Sequence, residues 1–306
     1  MKDRGRAWLD AVLRWSPAQS IYHRRASDRL AVLAYHGVDD PGRFEQHLDR
    51  VRQGAAAVSL DDVLAAFSGG RSLPDRAVLI TFDDGHRSVL ELAMPLLMER
   101  GMPAVAFVVA GVVDSDRPFW WTEVIDLAGN GGVVDEMAGL DPADLVRALK
   151  RVPDDRRRAA IAELGRTASA PAAPLPQLTS ADLRTLESAG IAIGNHTWGH
   201  PCLSRCDAGT CRAEIEEAHR MLSNVLGHEP RSFAYPDGDR DDRAAVVLRE
   251  LGYEAAFLFD HRLSPRRPAD TMAVSRLRVN STTTLDRFDT IASGLHPSLH
   301  RVRGGV

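Results

Sequence analysis

Five short apolar runs govern what this chain can fold into: Leu30–Tyr35, Ala77–Phe82, Ala104–Val109, Ile191–Gly194 and Ser232–Tyr235. Each is nearly continuous rather than alternating, the pattern of strands covered on both faces. Helical patterns lie between them. Arg87–Arg100 is closed by Gly101 and Pro103, with Pro95 placed to kink or split it. Thr179–Ala189 has Thr179 or Ser180 to cap it, Asp182 in its first turn and Gly190 at its end. Cys211–Leu226 stops at Gly227, and Asp241–Leu251 stops at Gly252. Strands alternating with helices predict a mainly parallel α/β sheet or barrel.

The rhythm breaks between Asp114 and Pro176, where an Arg-Pro-Phe-Trp-Trp stretch precedes two helix-like patterns and an Ala/Pro-rich linker. About sixty residues fold alone only marginally, so this reads as a helical insertion (114–176) in a single folded unit over 30–295. Residues 1–29 read as a helical extension and 296–306 as a tail. The Arg156-Arg157-Arg158 run reads as a solvated helix face.

Charge and hydropathy remove several classes of partner. With 38 Lys+Arg against 42 Asp+Glu the net charge is −4, which gives no electrostatic footprint for nucleic acid. The longest apolar run, Ala104–Val113, is too short to span a bilayer. The N-terminal residues lack the apolar stretch of a secretory signal, so the expectation is a cytoplasmic protein. Trp8, Val12 and Trp15 fall at helical spacing beside basic residues. They predict a short helix packed on the domain, with a peripheral membrane contact as the alternative. Nothing predicts an oligomeric state.

Three of the strand ends carry chemistry. Thr81-Phe82-Asp83-Asp84-Gly85 closes the second run with paired carboxylates, where α/β folds build their sites. Neighbouring residues on an extended segment face opposite ways, so the natural division is one metal ligand and one general base. By itself the motif is better read as an Asp-Gly turn with Asp as a helix cap. After the fourth run come His196 and His200, four residues apart, which converge on one ion if the segment coils into a helical turn. Gly199 and Pro201 make that a tight turn. With an aspartate from another strand end they form a two-histidine, one-carboxylate set with open positions, the composition of a catalytic rather than a structural metal site. After the fifth run, Tyr235-Pro236-Asp237-Gly238 forces an abrupt turn that presents Tyr235 and backbone N–H groups as candidate oxyanion donors.

Taken in order, TFDDG, HTxxH and FAYPxG resemble the polysaccharide deacetylases of the NodB type, over roughly Leu30 to Val279. The resemblance implies a distorted (β/α) barrel that hydrolyses N-acetyl groups on amino sugars with one divalent metal ion, Zn²⁺ first, Fe²⁺, Ni²⁺ and Co²⁺ being compatible. It implies Asp83 as general base, Asp84, His196 and His200 as metal ligands, Thr197 as a supporting hydrogen-bonder and the Tyr235 N–H as an oxyanion donor. The third motif is a Tyr-Pro-x-Gly variant, and no Leu-x-His follows it before the tail. Tyr35-His36-Gly37-Val38 is instead similar to the early Tyr-His element of the branch that deacetylates poly-N-acetylglucosamine. That makes His36 the general acid, with His296 and His300 as alternatives. The late Arg-Leu-Arg-Val stretch makes Arg276 the residue that orients a carboxylate, Arg278 being the alternative.

The implied substrate is an N-acetylhexosamine-containing glycan, or a lipid- or nucleotide-linked glycan precursor. A hydrolase of a non-sugar amide or cyclic ureide on the same scaffold is a second reading, and an inactive glycan-binding protein a third. Cys202, Cys206 and Cys211 fit no zinc or cluster spacing; they predict packing beneath the histidine turn, a disulfide being the alternative. Trp120 and Trp121 suit either a sugar-binding cleft or the core of the insertion.

Overall fold

The structure, a computed structural model, describes residues 2–302. Its elements begin with α1 (Lys2–Arg14), α2 (Pro17–Arg25), β1 (Arg29–Tyr35), α3 (Pro41–Gly54), β2 (Ala56–Ala57) and α4 (Leu60–Phe67). Then follow β3 (Ala77–Phe82), α5 (Met94–Glu99), β4 (Ala104–Val108), α6 (Trp120–Gly129), α7 (Pro142–Leu149), α8 (Asp154–Thr167) and α9 (Ser180–Ser188). The chain closes with β5 (Ile191–Asn195), α10 (Ala208–Leu226), β6 (Ser232–Ala234), α11 (Asp242–Glu250), β7 (Ala255–Phe257), β8 (Ser264–Pro265), β9 (Leu277–Arg278), α12 (Leu285–Ala292) and α13 (Leu295–Val302).

The strands run β7-β6-β5-β4-β3-β1 in parallel, with β8 antiparallel to β1 at the edge and β2 beside β3. One short segment spans the remaining gap. Val274 bridges to Phe257 of β7, while Leu277 and Arg278 pair with Leu33 and Ala34 of β1. The sheet therefore curls into a distorted (β/α) barrel closed by a thin seam, and Arg276 sits within that seam.

Alternate strand residues divide into two cores, as the period of two requires. Leu30, Val32, Leu79, Val105, Phe107 and Phe257 cluster with Val63 and Leu64 of α4. Leu33, Tyr35, Ile80, Phe82 and Val108 face the surrounding helices, meeting Phe44, Leu48, Leu97, Leu186 and Leu222. Each such buried side chain contributes about 1.5–3 kcal/mol. Local signals fix the helices: Ser59 with Asp62 and Thr179 with Asp182 form capping boxes, and Gly227, at φ +80°, ends α10. Pro95 follows a π-helical turn over Val89–Ala93, which relieves the clash its ring makes with the preceding turn.

The 114–176 segment holds three helices, α6 to α8, where sequence patterns showed two, and they share a small core of Val124, Leu127, Leu145, Leu149 and Leu164. Arg157 is not solvated as expected. It is buried against Asp154 at 2.5 Å and lies over the Trp120 ring.

Candidate active site

The barrel gathers its chemistry where β1, β3, β5 and β6 end. At the end of β3 the ladder continues one residue further, the Asp83 N–H donating to Tyr35 O at 2.9 Å. The chain then reverses through Asp84 at φ +70° and Gly85 at φ +84°. A Cβ on Gly85 would stand 3.1 Å from Val108, so the turn needs glycine for space as well as conformation. The two carboxylates consequently face different partners.

Asp83 belongs to Arg276. The guanidinium, wholly buried, donates Nη1 to Oδ1 at 2.6 Å and Nη2 to Oδ2 at 2.8 Å, while its Nε donates to Leu258 O at 2.6 Å. Burial raises the Asp83 carboxyl. The charge of Arg276, helped by His196 and His36, more than reverses this and holds it below its ordinary value. Arg278 points elsewhere, donating to Phe259 O and lying over the Phe259 ring.

Asp84 belongs to the histidines. Its Oδ1 lies 3.4 Å from Nε2 of both His196 and His200, yet this buried oxygen has no hydrogen-bond partner. The two imidazoles do not converge through a helical turn as the spacing suggested. Thr197 at φ +68° and His200 at φ +55° wrap the segment into a compact loop instead. Its backbone is pinned on all sides. Asn195 Oδ1 accepts from Thr197 N at 2.7 Å, Thr197 Oγ1 from His200 N at 2.9 Å, and Glu214 from Gly199 N at 2.6 Å. The Trp120 indole donates to His200 O at 3.0 Å. His196 Nδ1 is bonded to Ala234 O at 2.7 Å, which fixes the proton there and leaves Nε2 with a lone pair toward Asp84.

This set fits a divalent cation. A buried carboxylate oxygen without a donor, facing two imidazole nitrogens, is poorly satisfied unless something positive lies between them. The Asp84, His196 and His200 ligand atoms all lie within 4.8 Å of one another. Burial and the neighbouring His196 push His200 down to about 4, so it meets a cation as a neutral ligand.

His36, at the end of β1, is exposed and shares with these groups a cleft of about 320 Å³. Its ring stands edge-on to Phe259 at 5.4 Å. His296 and His300 do not line this cleft; they gather with His261, His296 Nδ1 lying 3.0 Å from His261 Nε2. The insertion supplies a wall of the cleft through Trp121, Ile125, Val146 and Lys150. Trp121 packs against the His200 ring at 4.7 Å, whereas Trp120 is mostly buried. Three more residues escaped sequence reasoning. His86 Nε2 lies 3.5 Å from Asp84 Oδ2, and Asp237, at φ +54°, enters the cleft paired with Lys150. The Pro-Asp-Gly turn was the available signal for Asp237.

Tyr235 requires a correction. Its N–H donates to Phe257 O at 3.0 Å in the β6–β7 ladder, its hydroxyl donates to Met272 O, and its ring is fully buried. The N–H expected to hold an oxyanion is therefore committed to the sheet. The three cysteines are free thiols, Cys206 and Cys211 packing with Leu203, Ile215 and Phe233. Burial pushes Cys202 and Cys206 up to about 12 and Cys211 to about 11, so none is a thiolate near neutrality.

Larger cavities of about 540 and 690 Å³ lie elsewhere, around α1 and α2. Among the described residues the Asp84 group is the one cluster that could hold a metal.

Comparison with known proteins agrees with this fold. IcaB from Ammonifex degensii superposes with a TM-score of 0.60 at 23% identity, over 88% of this chain and 97% of that one. The Streptococcus pyogenes deacetylase PplD, solved in complex with acetate, does so with a TM-score of 0.60 at 17% identity, over 85% and 96%. Poly-β-1,6-N-acetyl-D-glucosamine N-deacetylase of Escherichia coli is 39% identical over 98 residues, 28% of this chain but only 15% of that protein. The polysaccharide deacetylase family model matches residues 70–256. Fold, strand-end motifs and this match lead to one conclusion: the chain belongs to the polysaccharide deacetylase family.

Proposed function

We propose that this protein is a metal-dependent de-N-acetylase acting on N-acetylhexosamine units of a glycan or glycan precursor. The observation that carries the reading is the division of two adjacent carboxylates in one cleft. Asp83 is clamped by Arg276, and Asp84 faces His196 and His200 with an unpartnered oxygen. A binding protein has no use for a clamped carboxylate beside a metal-ligand set.

Amide hydrolysis needs an activated water, an electrophilic carbonyl and a protonated leaving group. A divalent ion held by Asp84, His196 and His200 would acidify water and polarise the acetyl carbonyl. Asp83 takes the proton of the attacking water. Its carboxyl, held below the ordinary value, is ionised and ready to accept, and Arg276 keeps the carboxylate aimed. His36, open to the cleft, gives a proton to the amine nitrogen as the C–N bond breaks, and the products are acetate and a free amino sugar. Trp121 offers an aromatic face beside His200 for a pyranose ring.

Acetate release from N-acetylglucosamine oligomers of β-1,4 and β-1,6 linkage, and from a non-sugar amide, tests the reading. The expected result is acetate from a glycan, abolished by a chelator and restored by added Zn²⁺ or Co²⁺, with Asp84→Asn losing both metal and activity. Acetate from the non-sugar amide alone would move the substrate class. Full activity of metal-free protein would sink the mechanism.

A further inference from the structure

The helical extension displays what a folded domain ordinarily hides. Trp8 is 69% exposed and Trp15 78%, with Val12, Leu9 and Ile21 exposed beside them. Trp8 and Val12 on α1 and Trp15 just past its end follow i, i+4, i+7 spacing, so they form one stripe. The expected helix does pack on the domain, but these tryptophans do not face it. The other side of α1 makes the attachment. Buried Asp10 pairs with Arg287 at 3.1 Å, and Arg14 with Asp286 at 2.8 Å and Asp289 at 2.6 Å, all on α12. These pairs hold the helix with its aromatic stripe outward.

Charge identifies what the stripe meets. Residues 1–25 carry six Lys/Arg and two acids, in a chain whose net charge is −4. Arg24 and Arg25 are exposed and make no ion pair among the described residues. With Arg29 and Arg262 they edge the cavity of about 690 Å³, where Asp28 is the one acid and lies 3.9 Å from Arg29. A second copy of the chain across a two-fold axis would bring like charges together. An anionic bilayer satisfies both features, since tryptophan settles at the headgroup level and arginine attracts acidic lipids.

Position adds a third argument. The neighbouring cavity of about 540 Å³ touches Trp15, Ala31 and Ala77 near the starts of β1 and β3, whereas Asp83 follows the end of β3. Six residues of strand place the two about 20 Å apart. A surface docked on the extension leaves the catalytic cleft open.

We propose that α1 and α2 form a docking surface for anionic phospholipid membranes, seated through Trp8 and Trp15. The test is flotation of the full chain with vesicles of phosphatidylcholine alone, and of phosphatidylcholine with about one-quarter phosphatidylglycerol. The protein floats with the anionic vesicles, and less so as salt rises. The Trp8→Ser/Trp15→Ser variant partitions at least about tenfold more weakly while its soluble activity stays unchanged. Arg24→Ser/Arg25→Ser weakens the preference for the anionic vesicles. No flotation by the wild type, or equal flotation by the tryptophan variant, overturns the proposal. So does a dimer in sedimentation that the tryptophan variant dissolves, since the stripe then belongs to a second copy.

Discussion

Arg276 holds Asp83 through two parallel bonds of 2.6 and 2.8 Å, with both side chains shut away from solvent. Removing one member of such a buried pair strands the other, at about 3–5 kcal/mol. Arg276→Met is therefore expected to lower stability by that amount and to abolish acetate release. Arg276→Lys keeps the charge but loses the fork, so it unfolds later than Arg276→Met yet turns over about 10–100-fold more slowly than wild type. With the guanidinium fork gone, the largest opposition to burial is weakened, His196 and His36 remain, and the Asp83 carboxyl rises. The acidic limb of kcat/KM for Arg276→Lys should accordingly lie at equal or higher pH, never lower.

His36 lines the cleft while His296 and His300 do not. His36→Gln should lose about 10²–10⁴ in kcat on an N-acetyl sugar and keep its metal content, because the ligand set is untouched. An aryl acetate ester, whose leaving group needs no proton, should still be hydrolysed at a rate close to wild type. His296→Gln and His300→Gln should leave kcat on the sugar unchanged. Equal losses on both substrates would remove His36 from the role of acid.

Much of this architecture was legible because strands buried on both faces write themselves as apolar runs. β3 spans the residues the sequence assigns to it, and β1, β4, β5 and β6 differ by one residue at an end. The chemistry at their tips followed from the turn residues. What escaped lies in elements too short to carry a period. β7 has three residues and β9 two, so sequence put Arg276 first but left Arg278 open, and it could not show that the Tyr235 N–H is spent on Phe257. The aromatic stripe of α1 was visible, but a stripe has the same spacing whether it meets a core or a membrane. Which face Asp10 and Arg14 anchor is a tertiary fact.

Trp121 stacks on Phe119 with ring centroids 4.8 Å apart and meets the His200 ring at an interplanar angle of 61°. It is the largest aromatic surface that the insertion brings to the cleft. Trp121→Ala is expected to raise KM for an oligosaccharide by about tenfold, and Trp121→Phe by less, with a smaller change in kcat. Steady-state kinetics on a chain-length series would check this. A loss confined to kcat would mean that the indole supports His200 and does not meet the sugar.

His47 is a buried histidine with no part in the cleft. Its Nε2 donates to Thr283 O at 2.7 Å, its Nδ1 accepts from the Tyr35 hydroxyl at 3.2 Å, and its ring stacks on Phe288. Burial lowers it to about 4 against the pull of the Thr283 carbonyl, and Arg43 adds to the effect. The folded chain thus refuses a proton that the unfolded chain accepts from about pH 6.5 downward. More protons on the unfolded state means that stability falls as pH falls through this window, by up to about 3 kcal/mol for this group, and is flat above it. His261, lowered to about 3 by burial and by His296 and His300, acts in the same direction. Urea unfolding at pH 7 and pH 5 measures the slope. His47→Gln should be less stable than wild type at pH 7, by about 1–3 kcal/mol for the disturbed hydrogen bonds. Between pH 6.5 and 4 it should lose less stability than wild type, having shed one proton of linkage. An unchanged slope would place the acid sensitivity of the fold on other groups.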